Sequence, residues 1–211
     1  MEKNAFSDVD RRLWKFIEDW TVVRLVGEMT SVYEFWIPIV TPTGRQTHIR
    51  KLCLDWDAAT ESRTCRCPYC KAGLRGRRMY YSNAIIRRLQ AAATAPRNTR
   101  TTANMSPVRV LTIPPRLHEQ LHSLAMLNKR QNKKRGEWQQ YDLAHPKFGR
   151  DVQIKINPTT PYSYYDLEAL ERTRLTAKEL AYPLVPLVFK AEPLERAEAE
   201  FQKLKRIIVE A

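Results

Sequence analysis

Four cysteines, Cys53, Cys65, Cys67 and Cys70, fall within eighteen residues in the pattern C-x11-C-x-C-x2-C. The last two frame the knuckle Cys67-Pro68-Tyr69-Cys70. Zinc takes four soft or borderline ligands in a tetrahedron, and a tight turn between two cysteines brings two thiolates to one ion while the turn's amides relieve their charge. Cys53, at the end of a predicted strand, can bring a third. The fourth is Cys65 or His48; Cys65 is preferred, because His48 and Cys53 lie five residues apart on one strand and point to opposite faces unless a bulge intervenes. Disulfides are not expected in reducing surroundings. Four protein ligands leave no open position, so the expectation is one structural zinc ion and no catalysis.

A second constellation points elsewhere. His118-Glu119-Gln120-Leu121-His122 matches H-E-x-x-H on a predicted helix, where residues i and i+4 share a face as zinc proteases require. Its extension fails: Ala125 and Asn128 stand where the longer protease motif needs Gly and a third His. The alternative is a helix that packs Leu117, Leu121 and Leu124 inward and leaves the histidines to the side.

The third feature is charge. The formal net charge is +13, yet from Ser62 to Arg135 there are seventeen Lys or Arg and a single acid, Glu119, so the excess sits in one block. Concentrated like charge destabilises a compact state unless a polyanion relieves it, which favours nucleic acid over a bland solvated face. Basic side chains hold phosphates, and unpaired bases need flat partners, so aromatics among the charges point to single strands. Three places qualify. One includes Arg75, Arg77, Arg78, Tyr80 and Tyr81, followed by Arg87; the next includes Lys129, Arg130, Lys133, Lys134, Arg135 and Trp138; the last includes Lys155, Tyr162 and Tyr165. Alternation makes Tyr80 and Tyr81 face opposite ways, so one of them is expected in the core.

Periodicity supplies the elements that must position these groups. Asp8 to Trp20 reads as an amphipathic helix with Leu13, Phe16, Ile17 and Trp20 on one stripe, Trp14 and Trp20 being packing residues. Val32 to Val40 and Gln46 to Leu54 read as a hairpin joined at Thr41-Pro42-Thr43-Gly44. Met79 to Leu89 and Val108 to Ile113 read as strands, separated by a mobile loop from Gln90 to Ser106. A helix starts at Pro114-Pro115 and ends in a basic loop from Lys129 to Gly136. Val152, Ile154 and Ile156 alternate with Asp151, Gln153 and Lys155 as in a half-buried strand, and Leu194 to Val209 reads as a closing helix.

The expected division is an N-terminal helical segment over 1–30, a core over 31–190 with a zinc-binding insertion at about 53–78, and a C-terminal helix over 191–211. This is a mostly β, α+β chain, with a small barrel as the first choice. Tyr182 to Phe189, the longest apolar piece, is about half a hydrophobic span and is broken by Pro183 and Pro186, and no signal-length stretch comes after Met1. A cytoplasmic protein with no membrane partner is expected.

The order of these motifs resembles the zinc-containing single-stranded DNA-binding, helix-destabilising proteins of tailed bacteriophages, over roughly Val32 to Asp166. The knuckle Cys67 to Cys70 is followed by the basic stretch Arg75 to Arg78 and by Tyr80-Tyr81-Ser82-Asn83, which is similar to the family's Tyr-aromatic-x-Asn strand. Tyr162-Ser163-Tyr164-Tyr165-Asp166 is similar to a later aromatic-Ser-x-Tyr-Asp segment. The resemblance implies an OB-fold with a zinc segment. It also implies sequence-tolerant coating of exposed DNA strands in replication, recombination or repair, with replication or recombination proteins as partners, in host cytoplasm if phage-encoded. Two features depart from the family. Trp36 to Val40 supplies no His where some members do, while Cys65 is extra, and the end from Phe201 to Ala211 is not the family's acidic tail. The competing expectations are a zinc ribbon that binds RNA or duplex DNA in transcription, and the metalloprotease.

Overall fold

The structure is a computed structural model and describes residues 12–16, 19–41, 43–94, 106–132, 136–157, 164–189 and 192–209. In chain order its elements are β1 (Leu13–Trp14), β2 (Thr21–Val40), β3 (Gln46–Leu52), β4 (Trp56–Asp57), β5 (Ser62–Arg63), α1 (Pro68–Lys71), β6 (Gly76–Ile86), α2 (Arg87–Thr94) and β7 (Val108–Ile113). Next come α3 (Pro115–Leu127), β8 (Lys129–Gln131), β9 (Trp138–Gln140), β10 (Arg150–Asn157), β11 (Tyr164–Arg172), α4 (Ala177–Leu180) and α5 (Leu194–Val209). Strand outweighs helix. The chain forms two compact units, one mainly Thr30–Tyr80 with Val188–Ala211, the other Asp8–Met29 with Tyr81–Leu187. The long strands β2 and β6 contribute residues to both.

In the first unit β2 and β3 pair antiparallel, with Phe35 opposite Lys51, Trp36 opposite Arg50 and Pro38 opposite His48. The turn is closed by Thr41 N to Arg45 O, 2.9 Å, and Gly44 N to Thr41 O, 2.8 Å. Phe35 and Ile37 face inward and meet Cys53, Cys67, Tyr69, Ala197 and Leu204 in one core cluster. Position 76 must be glycine: a Cβ there would lie 2.3 Å from Tyr33 Cε1 and 2.8 Å from the Glu34 carbonyl oxygen. The expected closing helix is present as α5; its Phe201 meets Tyr69 edge-on at 5.7 Å, and Lys51 bonds both Glu192 and Glu200.

In the second unit the strands run in the order β1-β7-β6-β2-β10-β11. β10 pairs antiparallel with both β2 and β11, and β1 pairs parallel with β7, so the sheet is mixed. Val152 and Ile154 are buried as the alternation requires, and Asp151 is buried as well. α3 starts with Pro115 at its first turn and buries Leu117 and Leu121.

Four expectations need correction. The segment 12–16, inside the expected N-terminal helix, includes strand β1 instead, because the open edge of β7 offers Leu13 and Trp14 a ladder that a lone short helix lacks. Gln90 lies in α2 rather than in a loop, and positions 95–105 of that loop are outside the described residues. The basic loop from Lys129 closes as the β8–β9 ribbon. Among the described residues the sheet ends at β1 and β11 and does not close, so no barrel forms. No helix among them is long and apolar enough to cross a membrane.

Candidate metal centre and basic surface

The knuckle is built by its own sequence. Pro68 starts the one-turn helix α1, Cys67 is its N-cap, and the Cys67 sulfur accepts the Cys70 amide at 3.3 Å. Tyr69 is fully buried against Phe35, ring centroids 5.5 Å apart, and donates its hydroxyl to Glu192 Oε1 at 3.2 Å. The turn is therefore anchored in the core by its middle residue. Cys53 arrives just beyond β3, its amide bonded to Tyr33 O at 2.8 Å. Its sulfur lies 3.8 Å from that of Cys67 and 3.6 Å from that of Cys70. The three form a group whose ligand atoms all lie within 4.8 Å of one another.

Burial pushes the Cys53 thiol up to about 11, with the Asp55 amide pulling the other way and the Cys67 sulfur adding to the rise. Cys70 is also raised, by burial first and then by its hydrogen bonds with Cys67 and Cys53. Cys53 and Cys70 thus resist ionising side by side, and a metal cation supplies the charge that lets them do so. The surroundings suit thiolates: besides the Cys70 amide, the Arg63 guanidinium reaches Cys70 Sγ at 3.7 Å. Asp55 holds the turn by accepting the Cys67 amide at 2.6 Å. These three cysteines could bind a metal.

Neither candidate for a fourth ligand joins them. Cys65 is exposed, with its backbone in the left-handed region at φ 58°, and stands outside the group of three. His48 is exposed, opposite Pro38 on the outer face of the hairpin.

Past the knuckle, Arg75 and Arg77 are exposed and Arg78 is half-buried and bonded to Glu61. The Arg77 guanidinium lies 4.8 Å over the ring of Trp36, which is 41% exposed. Tyr80 and Tyr81 are both buried, where one was expected to be available. β6 is covered on both faces from Met79 onward, so alternation does not free either ring for stacking.

The second unit divides its basic residues differently. Arg87, placed with the phosphate-binding candidates by sequence, is instead a structural cation: Nε reaches Asp151 Oδ2 at 2.6 Å, Nη2 reaches Oδ1 at 2.9 Å, and Nη1 bonds Glu179. Lys129, Arg130 and Trp138 are exposed on the β8–β9 ribbon, Trp138 by 68%. Lys155 is partly engaged, 3.4 Å from Asp166 and 4.8 Å from the Trp20 ring. Trp20 is itself 43% exposed, not a packing residue. Tyr165 is half-buried and meets Phe16 edge-on at 6.0 Å. Lys133, Lys134, Arg135 and Tyr162 lie outside the described residues.

His118 and His122 do stack on α3, ring centroids 6.4 Å apart. Among the described residues no third potential ligand joins them, the cysteine group being the one cluster of three. Sequence reading missed Trp36 and the thiol partners Asp55 and Arg63. Trp36 had a usable signal, since it alternates with the core residues Phe35 and Ile37; Asp55 and Arg63 have none. No family model and no curated protein matches this chain.

Proposed function

We propose that this chain is a zinc-stabilised, non-enzymatic protein that binds single-stranded nucleic acid with little regard for sequence. Cys53, Cys67 and Cys70 would hold one zinc ion as three thiolates, with the fourth position left to Cys65 or to water, and the ion would cross-link the hairpin end to the knuckle. The observation that carries the reading lies just past the knuckle: Arg75 and Arg77 stay exposed on the segment the cysteines anchor, while Arg87, farther along the same basic block, is consumed by buried acids. The exposed members are thus left for an external polyanion, and exposed indoles accompany them. Phosphate contacts give affinity without reading bases, and aromatic faces select strands whose bases are unpaired. The motif order resembling phage DNA-binding proteins supports DNA as the strand coated, in replication, recombination or repair.

The test is a titration of labelled single-stranded DNA, single-stranded RNA and duplex DNA over a salt series. The reading expects single strands to bind more tightly than duplex, with log affinity falling by about 0.7 per phosphate contact for each unit of log salt. Binding to duplex as tight as to single strands would transfer the protein to the zinc-ribbon class, and binding to none would remove nucleic acid as the partner.

A further inference from the structure

The outer face of the β2–β3 hairpin is unlike its inner face. Phe35 and Ile37 bury the inner side. Outside, Trp36 lies directly across the ladder from Arg50, and Arg77 of β6 lies over its ring at 4.8 Å. Directly opposed residues of an antiparallel pair project to the same face. The Arg77 guanidinium therefore covers one face of the indole from the β6 side, and the register places Arg50 across the ladder on the β3 side, with His48 and Pro38 forming the next cross-strand pair.

The indole is also held in place. Its Nε1 donates to Glu34 Oε2 at 3.1 Å, and Glu34 is fully buried. An exposed tryptophan with its polar edge tied down and 41% of its surface open has little conformational freedom left to lose on binding.

We infer that Trp36, with Arg77 over one face of its ring, is a platform on which one unpaired base stacks against the open part of the indole while Arg77 holds a neighbouring phosphate. This rests on the single-strand reading above and names a residue that does the stacking. The chemistry fits no other part of a nucleic acid as well: a flat apolar surface takes a base, and the cation against it takes a phosphate next to that base. An acidic peptide would take up the Arg77 charge and give the open part of the indole nothing flat to stack on.

The experiment compares two oligonucleotides of the same length, one of thymidines and one of abasic spacers, which carry the same phosphates. Trp36→Ala is expected to weaken thymidine binding about 5- to 100-fold and to leave abasic binding within about twofold. Arg77→Ala is expected to weaken both alike. Trp36→Phe, which keeps a ring, is expected to recover most of the thymidine affinity. Equal losses on both oligonucleotides, or no loss on either, with wild-type binding intact, would overturn the platform and leave the single-strand reading standing. No wild-type binding to either would overturn both. Should Trp36→Ala fail to fold, photocrosslinking of wild-type protein to 5-iodouracil DNA decides the matter. Label on Trp36 within the tryptic peptide Leu25–Arg45 supports the platform, and label confined to other peptides removes it.

Discussion

Two arginines of one basic stretch, one in each unit, meet opposite surroundings. Around the knuckle, Arg77 faces outward over an exposed indole, and among the described residues no carboxylate pairs with it. In the other unit Arg87 is held by Asp151 and Glu179, and the buried Arg24 donates to His145 O at 2.8 Å with Asp151 3.9 Å away. Arg77 and Arg87 lie ten residues apart in one block, yet the first stays exposed and the second is part of the framework. Excess positive charge in a stretch of chain is therefore not the same as positive surface. What separates them is the acid each meets after folding, and Asp151 and Glu179 come from far along the chain.

That contrast can be attacked at its strongest point first. Cys67→Ser or Cys70→Ser should abolish stoichiometric zinc and sharply lower the melting temperature, since a structural site contributes on the order of 10 kcal/mol to folding. Elemental analysis with thermal melting checks both. Cys65→Ser should retain one zinc per chain with a smaller loss, and zinc lost as completely as in the knuckle variants would show that Cys65 is recruited.

Arg87→Ala removes one partner from two buried carboxylates and should cost about 3–5 kcal/mol in denaturant unfolding. Oligonucleotide affinity should be unchanged wherever the variant stays folded. A loss of affinity at unchanged stability would return Arg87 to the binding surface.

Glu179 gives the pH signature of the same network. Burial alone would raise its pKa, but the Thr176 amide, Gln90, Arg87 and the Thr176 hydroxyl outweigh it and hold the carboxyl at about 2. A depressed carboxyl contributes stability that is fully present above its unfolded value near 4.3 and is lost as pH falls from there toward about 2, in total about 3 kcal/mol. Unfolding free energies measured across that window should fall for wild type, and less steeply for Glu179→Gln.

The smallest effect belongs to the exposed arginines. Arg75→Ala with Arg77→Ala should leave melting unchanged, weaken all single strands alike and flatten the salt slope by about 1.4, two single-strand contacts. An unchanged slope would mean that these two side chains touch no phosphate.

Much of the scaffold was legible because strand alternation and helix stripes report burial directly. The hairpin around Gly44, strand β7, strand β10 and the helices from Pro115 and Leu194 track their patterns closely. Three cysteines of the site were legible from their spacing. The N-terminal strand was not, because a short apolar run such as Leu13 to Ile17 fits either period and the decision lies in the distant edge of β7. The open sheet was not legible either, since closure depends on which strands become neighbours. The position of Cys65 outside the group of three, with its backbone in the left-handed region, is not something that spacing shows. Tyr80 and Tyr81 were misjudged because alternation assumes a solvated face, and β6 lies between β7 and β2 with both faces covered.

The claim that ties these findings together is that a knuckle-anchored basic face presents Trp36 to an unpaired base. Its most direct test is the set of five tryptophan indole N–H resonances in a nitrogen-15 spectrum, tracked as oligothymidine is added. Trp36 should shift or broaden as saturation is reached, while Trp56, whose Nε1 is bonded to Ser31 O at 3.2 Å on the other side of the hairpin's aromatic cluster, should stay in place. A saturating titration in which the Trp36 resonance does not move would contradict the account.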